Sequence, residues 1–273
     1  MPSRHILIIE NDAGLRESWR RALAESGHNV TALTGRAEAL ARPDLDEFEV
    51  IVSNLTDADI STPGLQTLDE ATRRRLCATP PAPDESASII KAFKLDATRL
   101  AHGAAYTPDE LRELLELILK HKQDVVDDAA LSPHIHEHLD FSLPSEIALM
   151  HPLLDYLLGR VAVLGVAEKD NTHLFIALDE AFVNAVKHGN KFDATKIVRL
   201  TADISAQEAR FTIEDQGAGF DVRNIPDPCD PANLFKTSGR GVLLIHNIMD
   251  EVQYNERGNR ITLIKKRPDE SLQ

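Results

Sequence analysis

Four consecutive apolar residues, Ile6-Leu7-Ile8-Ile9, stop abruptly at Glu10-Asn11-Asp12, and the same figure returns at Val50-Ile51-Val52 before Ser53-Asn54. A strand with one wet face alternates apolar and polar residues. An unbroken apolar run needs cover on both faces, which is the condition of a parallel sheet flanked by helices. Between the two runs, Leu15, Trp19 and Leu23 recur at helical spacing up to Gly27, and a second strand is predicted at 29–33. Strand, helix, strand and strand in this order make the first half an α/β unit with a parallel sheet. Residues 60–105 are less regular. Pro80-Pro81-Ala82-Pro83 interrupts them, and a short strand is predicted at 88–93. Pro108 suits the first turn of a helix predicted over 109–122.

The second half starts with a strand at 139–143, closed by Pro144, after which Ser145 is a candidate N-cap for a helix over 147–163. A second helix is predicted from about 171 to 188, ending at Gly189-Asn190. Strands follow at 196–203 and 208–214, then two loops, a helix at 241–249 and a hairpin of strands 251–255 and 260–265 turned by Glu256-Arg257-Gly258-Asn259. Two helices, paired strands and one late helix describe an α/β sandwich. The predicted organisation is residues 1–124, a linker at 125–137 around Ser132-Pro133, and residues 138–268.

Composition narrows the function. With a net charge of -14 the chain lacks the basic face that phosphate neutralisation requires, so direct nucleic-acid binding is not expected. The two cysteines, Cys77 and Cys229, have no metal-ligand or disulfide-framework spacing. No run approaches the roughly 20 apolar residues of a membrane helix, and the apolar stretch after Met1 is too short for a secretory core. A soluble cytoplasmic protein is the expectation.

Three segments can carry chemistry. In Asp179-Glu180-Ala181-Phe182-Val183-Asn184-Ala185-Val186-Lys187-His188-Gly189-Asn190, Glu180 and Asn184 stand one helical turn apart on one face, and Lys187 extends that polar edge. A carboxylate and an amide oxygen so placed suit a magnesium ion and a hydroxyl beside a triphosphate. A solvated helix face has the same spacing. In Ile213-Glu214-Asp215-Gln216-Gly217-Ala218-Gly219-Phe220, an aspartate at a strand end precedes two alternate glycines. These allow close approach of a flat ligand whose exocyclic amine the carboxylate accepts, although a plain turn reads the same way. In Ser238-Gly239-Arg240-Gly241-Val242-Leu243-Leu244-Ile245, a glycine-rich stretch opens an apolar helix whose first amides can cradle phosphate.

In this order and spacing the three segments resemble the N box and glycine boxes of the GHKL ATPases. The short lid from Phe220 through Ile225-Pro226-Asp227-Pro228 to Ser238-Gly239-Arg240-Gly241, with Met249-Asp250-Glu251-Val252 after it, looks like the RsbW-like anti-sigma-factor serine kinases. The resemblance covers about residues 138–267 and implies a GHKL (Bergerat) sandwich that binds ATP and Mg2+. It implies Glu180 as the general base, Asn184 as the magnesium ligand and Lys187 near the phosphates. Asp215 would hold adenine, with Gly217 and Gly219 beside it, and Gly239, Arg240 and Gly241 would form the phosphate loop. The implied activity is protein serine/threonine kinase on a STAS-type anti-anti-sigma partner. A sigma factor or other regulator is a further implied partner, and a homodimer is expected. The alternative is an ATP-gated regulator-binding protein without phosphotransfer. His134, His136 and His138 lack the rest of a histidine-box pattern and read as a solvated linker.

The first half, about residues 4–122, resembles a response-regulator receiver with a flavodoxin-like sheet. Glu10 keeps one acid of the pair that closes the first strand, Asn11 lacks the other, and Asn54 stands at the phosphoacceptor position, where an amide cannot form an acyl phosphate. No Lys-Pro pair follows Tyr106-Thr107-Pro108, and Asp57 and Asp59 read as surface residues. The resemblance implies a pseudo-receiver used for docking or dimerisation.

Overall fold

The computed structural model describes residues 2–60, 68–80, 89–103, 105–125, 135–168, 170–220 and 240–268. The first half contributes β1 (His5–Ile9), α1 (Ala13–Glu25), β2 (Asn29–Leu33), α2 (Arg36–Leu40), β3 (Val50–Ser53), α3 (Asp57–Ile60), α4 (Glu70–Leu76), β4 (Ile89–Asp96), α5 (Thr98–His102) and α6 (Pro108–Val125). The second contributes β5 (Ile135–Pro144), α7 (Met150–Val163), α8 (Thr172–Val183), a π-helical turn (Asn184–Gly189), β6 (Ile197–Ile204), β7 (Glu208–Asp215), α9 (Arg240–Ile248), β8 (Glu251–Tyr254) and β9 (Arg260–Lys266).

All nine strands belong to one sheet, in the order β2-β1-β3-β4-β5-β6-β7-β9-β8. Strands β1, β2 and β3 are parallel, as their apolar runs require. Ile6 and Ile8 enter one core while Leu7 and Ile9 enter a second on the opposite face. The expected wholly parallel sheet stops there, because β4 runs antiparallel to β3. It then pairs in parallel with β5 along eight residues, from Ile89–Ile135 to Asp96–Ser142. Strands β5, β6, β7, β9 and β8 continue antiparallel.

The two halves therefore share a sheet and a core. Trp19 of α1, Phe93 of β4, Phe141 of β5 and Tyr156 of α7 form one aromatic cluster, with successive ring centroids 5.8–6.4 Å apart. The other face of the β4–β5 seam is polar. Lys94, fully buried, donates to Asp140 Oδ1 and Ser142 Oγ, both at 2.8 Å, and Arg199 of β6 donates to Asp140 Oδ2 at 2.6 Å.

Part of the expected linker is strand. Residues 135–137 open β5, while 126–134 lie outside the described residues, His134 among them. His136 and His138 are accordingly not in a solvated linker. They point to one side of β5, where Asp203 Oδ1 accepts from His138 Nδ1 at 2.7 Å and contacts His136 Nε2 at 3.1 Å. Ser145 is buried without a hydrogen bond on its hydroxyl and does not cap α7, whose N-terminus instead continues a 3-10 turn from Ile147–Leu149. Asn171 does cap α8, accepting from Leu174 N at 2.9 Å.

At the end of β1, Asn54 donates to Glu10 Oε1 at 2.8 Å and to Asn11 Oδ1 at 2.7 Å. Asp59 accepts from Thr56 N at 2.8 Å within the turn into α3.

Candidate functional site

Helix α8 carries Glu180 on its last turn and gives way at Asn184 to the π-helical turn, which ends at Gly189. The wider turn is closed by an i to i+5 bond, Asn190 N to Ala185 O at 2.8 Å. Asn190 is completely buried and bonds through both ends of its side-chain amide. Its Nδ2 donates to Ile197 O at 3.0 Å, and its Oδ1 accepts from Gln216 N at 2.8 Å. One amide thus ties the helix end to the start of β6 and the end of β7.

Asp215 closes β7. Its backbone is clamped by Asn259 of the hairpin, with Asp215 N donating to Asn259 O at 3.0 Å and Asn259 Nδ2 donating to Asp215 O at 2.7 Å. Its carboxylate accepts from Gly217 N through Oδ1 at 2.7 Å. Burial raises the Asp215 carboxyl above its ordinary value, with the Gly217 amide and Arg257 pulling the other way. Gly219 has a left-handed φ of 76° and lets Phe220 N reach Arg257 O at 3.1 Å. Phe220 meets Tyr254 edge to face at 5.5 Å.

These elements enclose a cavity of about 350 Å3, lined on one side by Asn184, Ala185 and Gly189 and on the other by Asp215, Gly219 and Ile261. The size suits a small-molecule site. A mostly apolar slot with one carboxylate at its edge fits a flat heterocycle bearing an amine. Glu180 stands one helical turn before Asn184. Its carboxylate lies against the α-carbon of Gly241, where a Cβ would collide with Oε2. The start of α9 is thereby packed on the acid.

Residues 143–265 match the family described as histidine kinase-like ATPase domain. The serine-protein kinase RsbW of Staphylococcus epidermidis is 29% identical over 137 residues, covering 47% of this chain and 86% of that protein. The anti-sigma F factor of Clostridium perfringens is 31% identical over 113 residues, 39% of this chain and 79% of the relative. The serine-protein kinase RsbW of Listeria innocua is 24% identical over 144 residues, 48% of this chain and 88% of the relative. The chain belongs to the histidine kinase-like ATPase family.

The sequence-predicted residues do not all meet at the cavity. Asn184, Asp215 and Gly219 line it, Gly217 lies beside Asp215 against the Gly189 carbonyl, and Glu180 and Gly241 touch each other. Lys187 is exposed and does not line the cavity. Gly239 lies outside the described residues, and Arg240 opens α9. Sequence reasoning missed Gly189, Asn190, Tyr254 and Asn259 as parts of the site. The turn signals Gly189-Asn190 and Gly258-Asn259 were the available trace of them. Among the described residues no helix is long and apolar enough to cross a membrane.

Proposed function

We propose that this chain is an ATP-dependent protein serine/threonine kinase of the anti-sigma type, acting on a hydroxyl of a STAS-type antagonist protein. The observation that carries this reading is the Glu180 carboxylate held against Gly241, at the helix start where the phosphates would sit and one turn from the cavity wall at Asn184. Phosphoryl transfer asks a protein mainly for positioning and charge neutralisation, and a carboxylate at that point accepts the proton of the attacking hydroxyl. Asp215 accepts the adenine amine beside Gly217 and Gly219, and Gly239, Arg240 and Gly241 form the phosphate loop. The N-terminal half acts as a pseudo-receiver whose Asn54 cannot be phosphorylated.

Magnesium suits the donor set. The Asn184 side chain lines the cavity and makes no hydrogen bond among the described residues, which also hold no cluster of three or more His, Cys, Asp or Glu. One neutral oxygen is what an ion needs when phosphates and water complete its shell. Bound there with the triphosphate, magnesium would neutralise phosphate charge.

The test is incubation with labelled ATP and STAS-domain proteins. Transfer to a serine or threonine of one of them is expected, and Glu180→Ala should abolish it while nucleotide binding persists. Nucleotide binding without transfer to any candidate would leave an ATP-gated binding protein instead.

A further inference from the structure

A second cavity, of about 490 Å3, opens where the two halves meet, far along the sheet from Asp215. Glu10 and Asn54 reach it from the ends of β1 and β3, Phe93 from β4, Lys122 from α6, Glu137 from β5 and Tyr156 from α7. Three carboxylates line this space, and each is already engaged. Glu10 Oε1 accepts from Asp12 N at 3.0 Å and from Asn54 Nδ2 at 2.8 Å. Asp12 caps α1, accepting from Leu15 N at 2.7 Å. Glu137 is chelated by buried Arg160, whose Nε donates to Oε2 at 2.8 Å.

The two cations in the wall are less fully engaged. Neither Lys122 nor Lys91 makes a hydrogen bond among the described residues. The Lys122 ammonium stands 3.9 Å from Glu10 Oε2, beyond hydrogen-bond reach, and 5.3 and 5.9 Å from the ring centroids of Phe93 and Trp19. Burial lowers the Lys122 pKa, and the attraction of Glu10 and Glu137 does not restore it. A part-buried ammonium that faces the cavity, is held by one long ion pair and donates no hydrogen bond keeps its donors available to an anion. Asn11, whose Oδ1 accepts from Asn54, is the remaining polar amide of the wall, and Leu15, Ile90 and Leu139 supply apolar surface beside the Tyr156 ring.

We propose that this cavity is a second ligand site, taking a small molecule whose carboxylate or phosphate head pairs with Lys122 and Lys91 and whose apolar body packs on Phe93 and Leu139. Its occupant would touch the N-terminal half and the ATPase half together, so its binding energy would be shared across the seam.

The experiment uses the full chain with its nucleotide site saturated by an adenine nucleotide, titrated with phenyl phosphate and with benzoate. Saturable binding of one probe is expected, weakened about tenfold or more in Lys122→Gln, the loss typical of a charge-assisted hydrogen bond. The probe that binds tighter identifies the head group. Should Lys122→Gln fail to fold, acylation of wild-type lysines read by mass spectrometry replaces it. The bound probe should then protect Lys122 but not exposed Lys187. Equal affinity in wild type and a folded Lys122→Gln, absence of saturable binding by either probe, or unprotected Lys122 would overturn the proposal.

Discussion

The α-carbon of Gly189 lies against the carboxylate of Asp215, so close that a methyl group there would overlap Cγ and both oxygens. The residue that ends the π-helical turn thus sets the position of the acid on a different element. Gly189→Ala should rotate that carboxylate away from the cavity. Adenine nucleotide affinity should fall roughly tenfold or more, as for loss of one charge-assisted hydrogen bond, with Asp215→Asn behaving alike. Calorimetry decides this. An unaltered affinity in Gly189→Ala would mean that Asp215 does not hold the base.

Gly241 and Glu180 repeat the relationship on the phosphate side. The atom in the way of a Gly241 methyl is the far end of a flexible side chain, not backbone. Gly241→Ala should therefore fold normally yet displace the Glu180 carboxylate. A misplacement of about 1 Å is worth roughly 10²-fold in rate. Phosphotransfer should drop on that scale while nucleotide affinity changes little. A loss of affinity with transfer preserved per bound nucleotide would reverse the assignment.

Acid should weaken nucleotide binding early. Burial raises the Asp215 carboxyl, and only the ionised form accepts the adenine amine without also presenting a proton. Binding is then complete above the folded-state pKa and lost as pH falls through it, starting above the ordinary aspartate value of about 3.9. Affinity measured against pH in wild type and in Asp215→Asn is the check. The wild-type curve should bend and the variant curve should lack that bend.

The site was legible where its chemistry follows local spacing. Glu180 and Asn184 are one turn apart in any helix, and Asp215 is read from a strand that ends in glycines. Asn190 and Asn259 were not legible as site residues, because their roles lie in bonds to segments distant in sequence. The fold shows the same division. Strand β1 and its parallel neighbours announce themselves by apolar runs. The sequence pattern ends strand β4 at Phe93, yet the strand continues through Lys94, a residue that hydropathy places on the surface and Asp140 makes buriable. The sequence pattern starts strand β5 at Leu139. It begins earlier because Asp203 satisfies His136 and His138 on the sheet. In each case a charged or polar residue hid a strand until its partner, far along the chain, was in place.

Lys94 and Asp140 also predict how the halves unfold. Both are completely buried, and they join β4 to β5 across the seam. Removing one member of such a pair strands the other, at a cost of about 3 kcal/mol where, as here, Arg199 remains to share the load. Lys94→Met should lower the thermal midpoint of the whole chain in one transition, since sheet and core are continuous. Burial raises the Asp140 carboxyl, but Lys94 and Arg199 outweigh it and hold it below the ordinary range. A depressed carboxylate contributes stability above its unfolded pKa and surrenders it as pH falls through the folded value. Wild-type stability should accordingly fall more steeply with acid than that of Lys94→Met, in which the depression is relieved. Parallel slopes, or two separate thermal transitions in the wild type, would show that the seam does not couple the halves.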